Sequence, residues 1–273
     1  MNDWLLAHET PLRLGAFAGV LALVALAEII WPRRPWTQSK AYRWTNNLAM
    51  VALNTLLLRL VFPIAAVGVA LWAESADFGL FNGPGLDKLG LGSGAPAVIA
   101  SVLLLDLAIW AQHVVFHKVP ILWRLHRLHH ADLDYDVTTG ARFHPLEILL
   151  SMAIKMAVVA GLGAPAAAVI LFEVLLNASA MFNHGNLRLP TGLDRLLRLV
   201  IVTPDMHRVH HSWRRAETDS NYGFNLSVWD RMFATYQADS RDGQEGLTIG
   251  LETFRDPANL RLDRLLTLPF RKG

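Results

Sequence analysis

Four stretches of the chain are apolar almost without interruption. They are residues 12–31 (LRLGAFAGVLALVALAEIIW, after Pro11), 47–72 (Asn47 to Trp72), 96 to about 112, and 146–183. A helix that crosses a bilayer needs about 20 mostly apolar residues. The first three stretches each predict one span, the third continuing outward as QHVVFHK. The fourth is broken at GLGAP (161–165), and Gly and Pro together punctuate helices. It predicts a hairpin of two short helices that enters the membrane and returns. The expected fold is an all-α integral membrane protein with about four span-equivalents: two spans, a third span and a helical hairpin. Residues 1–95 would form an N-terminal transmembrane hairpin. Residues 96–273 would form a catalytic domain of transmembrane helices and a histidine-rich helical cap.

The polar segments set the sidedness. The loop PRRPWTQSKAYRWT (32–45) holds Arg33, Arg34, Lys40 and Arg43 and no acid, whereas 73–95 carries Glu74, Asp77 and Asp87 against Lys88. The positive-inside rule places the first loop in the cytoplasm and the second outside. The third span then re-enters the cytoplasm near His113, and a hairpin at 146–183 keeps His184 and the C-terminal third on that side. The start, MNDWLLAHETPLRLG, lacks a basic region leading directly into an apolar core and does not read as a cleaved signal peptide. LDRLLRLVIV (193–202) and LRLDRLLTLPFRK (260–272) mix leucine with arginine. Each fits either a helix along the headgroups or one packed on the domain's own core. Arg59 and Lys155 interrupt apolar runs, and snorkelling to the interface accounts for both.

Composition agrees with a membrane protein. Of 273 residues 53% are hydrophobic and only 18% charged, against about 25% in soluble domains, and the mean hydropathy is +0.31. A net charge of +2 gives no sign of a nucleic-acid partner. There is no cysteine, which removes disulfides, thiolate metal sites and cysteine-ligated iron–sulfur clusters.

Histidine supplies the candidate chemistry. HRLHH at 126–130 returns as HRVHH at 207–211, and no other internal repeat is visible. Of eleven histidines, His8 stands alone. The other ten are His113, His117, His126, His129, His130, His144, His184, His207, His210 and His211, all at span ends or in the segments assigned to the cytoplasm. His113 and His117 share a helical face at i, i+4, as do positions i, i+3 and i+4 of each pentapeptide. Neutral imidazole binds iron, zinc or copper. Eight to ten convergent rings exceed the needs of one ion and suit two. Asp106, Trp110, His113 and His117 form one stripe, so Asp106 is expected to orient a ligand imidazole. Glu173, Asn177 and His184 form a second stripe on the returning arm. Both acids also admit a plainer role in helix–helix hydrogen bonding.

At these residues the chain resembles the fatty acid hydroxylase/sterol desaturase superfamily of membrane di-iron oxygenases. The matching blocks are DLAIWAQHVVFH, LWRLHRLHHAD, RFHPLE, FNHGN and TPDMHRVHHSWRRAETDSNYGFNLSVWDRMFATY, in the family's order from 106 to 236. The last block is the most specific. Ala234 stands where the family commonly has glycine, a difference expected to touch a turn and not the chemistry. The resemblance implies two iron ions held by His113, His117, His126, His129, His130, His184, His207, His210 and His211, with His144 a tenth ligand or a substrate-side residue. It implies O2 as co-substrate and hydroxylation or desaturation of a lipid C–H bond, with an acyl chain or sterol-like molecule arriving sideways from the bilayer. A slot lined by residues such as Leu103, Leu107 and Phe172 is expected to guide it. Electrons must come from a separate reductase, ferredoxin or cytochrome, because the chain shows no cytochrome b5-like domain and no GxGxxG after a strand. The expected location is a bacterial-type inner membrane with the histidines on the cytoplasmic face.

Other readings remain open at this stage. Ether cleavage of alkylglycerols and carotenoid hydroxylation keep the same metals and change only the pocket. A zinc hydrolase needs only three protein ligands, far fewer than are present, and HExxH is absent. A metal transporter or store would place ligands at the bilayer midplane rather than at span ends.

Overall fold

The computed structural model describes residues 2–87 and 90–272, so Lys88 of the acidic loop lies outside the described residues. Among the described residues, secondary structure is helical apart from three isolated bridges. Five helical segments are long and apolar enough to cross a membrane. They are α1 (Glu9–Ile30); α2 (Lys40–Val61), which continues after a break into α3 (Ala65–Ser75); α4 (Gly94–Lys118); α6 (Pro145–Leu162); and α7 (Ala166–Asn183). The break between α2 and α3 falls at Pro63, which has no N–H to continue the helical ladder. The α6–α7 turn is the expected hairpin. Gly163 takes the left-handed conformation at the end of α6, and Pro165 precedes α7. Each arm has 18 residues, about 27 Å of helix.

The relative sidedness also agrees. At one end, Leu80 and Phe81 donate backbone hydrogen bonds to Gly161 and Leu162, so the acidic loop lies against the hairpin tip. At the other end, the basic loop packs on the histidine-bearing cap. There Arg33 meets Asp205, Arg34 donates to the Gln244 carbonyl, and the backbone of Thr37 and Gln38 donates to Asp134. Leu23, Ile29, Leu60 and Ile99 point away from the protein, as lipid-facing residues must.

The cap grows from three short connections that start with proline. Val119–Pro120 opens α5 (Pro120–His130), His144–Pro145 opens α6, and Thr203–Pro204 opens α8 (Pro204–His210). Proline at the first helical position costs no hydrogen bond and presets the helical φ. Thr203 and His144 add side-chain caps to Met206 N and Leu146 N. Of the two leucine–arginine stretches, 260–272 packs on the cap's own core, with Leu265 and Leu268 buried against Met50 and Leu128. The other leaves Leu193, Leu196, Leu199 and Val200 exposed.

The amino-terminal half of α2 belongs to the cap rather than to a lipid-facing span. Arg43 is fully buried, paired with Asp132 at 2.7 Å and with Asp136, while Arg142 lies 3.4 Å from Asp132. Asn47 donates to Thr138 and Asn54 to the Phe143 carbonyl. Two guanidinium groups and two carboxylates balance in a dry interior. Burial alone would raise the Asp132 carboxyl; the two arginines instead hold it below the usual carboxylate range.

Two substitutions test this account. Arg43→Met leaves Asp132 and Asp136 buried against the single Arg142 guanidinium and should cost about 3–5 kcal/mol, read as a lower thermal midpoint in detergent. A midpoint unchanged from the native chain would refute the pairing. Ala234 follows α9 (Val228–Met232) with φ +57°, a left-handed conformation that costs an L-residue about 1–2 kcal/mol. Ala234→Gly should therefore raise the same midpoint, and a decrease would contradict the strained turn.

Candidate metal centre

The nine histidines predicted as ligands converge, and every one is buried. Their ring nitrogens fall into two adjoining groups. His113, His117, His126, His130 and His210 form the first; His129, His184, His207 and His211 form the second. Within each, one nitrogen per ring lies within 4.8 Å of all the others. The groups share a wall: the His130 and His211 rings stack at 4.5 Å, and the first pentapeptide contributes to both. Helical spacing explains the division. His126 and His130 sit one turn apart on α5 and enter one group, while His129 is rotated toward the other.

Backbone carbonyls aim the rings. The Nδ1 of His113 lies 2.7 Å from the Tyr222 carbonyl, that of His184 2.7 Å from Ala180, that of His210 2.6 Å from Ser220, and that of His129 3.2 Å from Arg142. A carbonyl can only accept, so each Nδ1 carries the proton and each Nε2 presents a lone pair. His126 Nδ1 meets the Glu147 carboxylate at 2.6 Å in the same way. The Nε2 atoms of His113, His126, His129, His184 and His210 are therefore unprotonated, whereas His130 and His211 have no acceptor at Nδ1. His113 and His126 Nε2 are 3.0 Å apart, and His184 Nε2 is 3.1 Å from both His129 and His211. Two lone pairs at that distance repel.

Protonation does not relieve this. Burial, followed by the mutual repulsion of charged imidazoles, holds His129, His130, His207 and His211 well below the usual imidazole range. Burial also lowers His210 well below that range and His184 to about 3. The remaining buried nitrogens lack partners: both of His117, both of His207, Nε2 of His210, and Nδ1 of His130 and His211. His117 Nδ1 is 3.4 Å from Asp219 Oδ1 without hydrogen-bond geometry. A dry cluster of neutral donors with unshared lone pairs fits cations in each group.

The close fit extends to the backbone. A Cβ on Gly140 would lie 2.5 Å from the Ala180 carbonyl and 3.0 Å from His184 Nδ1, so a side chain there would displace the carbonyl that orients His184. On the side toward the apolar core, Phe143 stacks on His129 at 4.5 Å and Phe224 lies 4.9 Å from His113.

Several expectations need correction. Asp106 touches no histidine. It accepts hydrogen bonds from Asn225, Trp229 and Leu226 N, and so fastens the segment after α8 onto α4. Glu173 pairs with Lys155 at 2.6 Å and Arg13 at 2.9 Å, which ties α1 to the hairpin; Lys155 is thus paired rather than snorkelling. Asn177 donates to the Glu173 carbonyl within its own helix. His144 lies outside both groups, its Nδ1 capping α6 and its Nε2 3.2 Å from the Leu266 carbonyl. Leu103 faces outward and Phe172 is wholly buried, so these two do not line one slot with Leu107. The supports that sequence reasoning missed are mostly carbonyls, which carry no residue signature. Glu147 is the exception, since it stands in the quoted RFHPLE block.

Comparison with known proteins places this geometry. The family model described as fatty acid hydroxylase matches residues 98–235, about half of the chain. The ornithine lipid hydroxylase OlsE of Rhizobium tropici is 26% identical over 239 residues, covering 85% of this chain and 69% of the relative. Human alkylglycerol monooxygenase is 28% identical over 174 residues, covering 62% and 37%, and rat cholesterol 25-hydroxylase is 26% identical over 177, covering 64% and 55%. The chain thus spans about a third of the human relative and just over half of the rat one. No solved structure matches. With nine buried imidazoles in the family's order and a family model spanning every one of them, the chain belongs to the fatty acid hydroxylase family of oxidoreductases.

Proposed function

We propose that this protein is a membrane-bound, non-haem di-iron oxygenase that hydroxylates a C–H bond of a lipid, with O2 as co-substrate. The observation that carries this is the pair of buried imidazole groups whose lone pairs face one another. His113, His117, His126, His130 and His210 would hold one iron; His129, His184, His207 and His211 would hold the other. Bound iron supplies the redox chemistry that lets O2 react with an unactivated C–H bond. The balanced reaction is RH + O2 + 2 e− + 2 H+ → ROH + H2O.

The chain's own residues do the rest. Carbonyls of Arg142, Ala180, Ser220 and Tyr222 hold the rings in one tautomer and one direction. Glu147 holds the proton of His126 at Nδ1. Phe143 and Phe224 lie between the histidines and the apolar core and present an apolar face on the side from which a lipid chain would come. The best-covered relative named above acts, by its name, on ornithine lipid, which favours a polar membrane lipid with acyl chains as the substrate class. The basic segment 32–45 packs on the histidine cap, which supports a cytoplasmic site. The two electrons come, in this reading, from a separate electron-carrier protein, which accords with the lack of a cysteine to ligate an iron–sulfur cluster.

Protein purified without oxygen should carry two irons per chain. His129→Ala should lose iron and turnover while keeping its helical content by circular dichroism. Zinc in place of iron after expression in the native host, or full turnover in the variant, would refute the assignment. Mass spectrometry of lipids from a host with and without the gene should show a species that gains one oxygen atom. A species that loses two hydrogens instead would make the enzyme a desaturase.

A further inference from the structure

The oxygenase reading requires two electrons per turnover from another protein, and the surface near the histidines has one feature suited to receive them. Several aromatic side chains contact the nine rings. Phe116, Tyr135, Tyr222 and Phe224 are buried, and Phe143 packs against the apolar core. Trp123 differs. It is partly exposed, and its ring lies 4.9 Å from that of His117, 5.3 Å from His130 and 6.2 Å from His126. The indole therefore runs from solvent to the five-histidine group in a single van der Waals step.

Cations surround it. The Arg215 guanidinium lies 4.5 Å from the ring, over its face, and donates to the His117 carbonyl. Lys118, half exposed, and Arg215 share one acid, Asp219. Arg124, on the next residue of α5, is exposed and ties to the Pro269 carbonyl. The positive field continues along the C-terminal segment into an open recess of about 510 Å³ lined by Arg264, Arg271 and Lys272 among others. Asp256 is the acid in that lining, and it caps its own turn through Ala258 N. Trp123 stands one turn before His126 and two before His130, so it forms the exposed edge of the α5 face that carries those histidines, with Arg124 beside it.

We infer that the exposed edge of α5 around Trp123 and Arg124 is the docking surface for a small acidic one-electron carrier protein, with Trp123 as the entry point for electrons. Each carrier is oxidised by one electron, and two carriers supply the two electrons of the balanced reaction. The inference rests on the oxygenase reading, and its choice of partner follows from charge. An excess of exposed cations around a contact path to the metal group favours a carrier with a negative face and steers its encounter.

The test uses the full chain in phosphatidylcholine nanodiscs, with an acidic plant-type [2Fe–2S] ferredoxin as probe. Ferredoxin binding to the metal-free protein should weaken steeply with salt. It should fall about tenfold or more in an Arg124→Glu, Arg264→Glu double variant. In iron-loaded, oxidised protein, anaerobic stopped flow should show slower ferredoxin oxidation in that variant, while reduction by dithionite is unchanged. Trp123→Leu should bind ferredoxin normally yet slow electron transfer at saturating carrier, and Trp123→Phe should restore part of the rate. Iron content measured on each variant separates a lost centre from a lost path. Ferredoxin binding and oxidation unaffected by the double charge reversal would overturn the inference. So would reversals that abolish binding of phosphatidylglycerol vesicles while sparing ferredoxin, which would make the face a headgroup site. Absence of iron from the native chain would instead strike the oxygenase reading itself.

Discussion

The cap is organised by one electrostatic constraint: buried imidazoles must be held with lone pairs pointing together. No ring would choose that arrangement in isolation. Burial prevents relief by protonation, and carbonyls on the far side of the rings prevent relief by rotation. The cluster is thus loaded against itself until cations enter it. The surrounding protein must be rigid enough to hold it there, and the proline-initiated helices, the Gly140 contact and the Arg43 knot supply that rigidity.

The membrane part serves the same end. The hairpin returns the chain to the side it left, so His184 reaches the cluster from a helix that has visited the opposite leaflet. The segment after α8 is tied to α4 through Asp106 and through Asp230, which accepts from Trp110 and from the backbone of Tyr222 and Gly223. These bonds fix the Tyr222 carbonyl, and that carbonyl fixes His113. A carboxylate of the cap, Asp230, thus bears on the orientation of His113 through Tyr222 alone.

Much of this was legible in the sequence. The spans, the hairpin break at GLGAP and the histidines that converge all follow from hydropathy, Gly–Pro chemistry and histidine spacing, because each is a local or periodic property of side chains. What failed is equally specific. Asp106 and Glu173 lie on stripes that lead to histidines, yet each found a nearer partner on another helix. Sequence spacing describes one helix face and not what packs against it. The orienting carbonyls belong to Arg142, Ala180, Ser220 and Tyr222, residues whose identities say nothing of their backbone role. Ala234 was read as a turn position, and its positive φ gives the physical reason why glycine suits that place.

The ionic link between α1 and the hairpin has a consequence for how the chain is made. Arg13 enters the bilayer early in synthesis with Glu9 already beside it, one turn away. Glu173 is translated much later, together with Lys155, so the hairpin carries its own counter-ion across. Each piece is therefore electrically balanced at the moment of insertion. The bond from Arg13 to Glu173 can form only after both pieces have been made, so it joins two segments already balanced on their own.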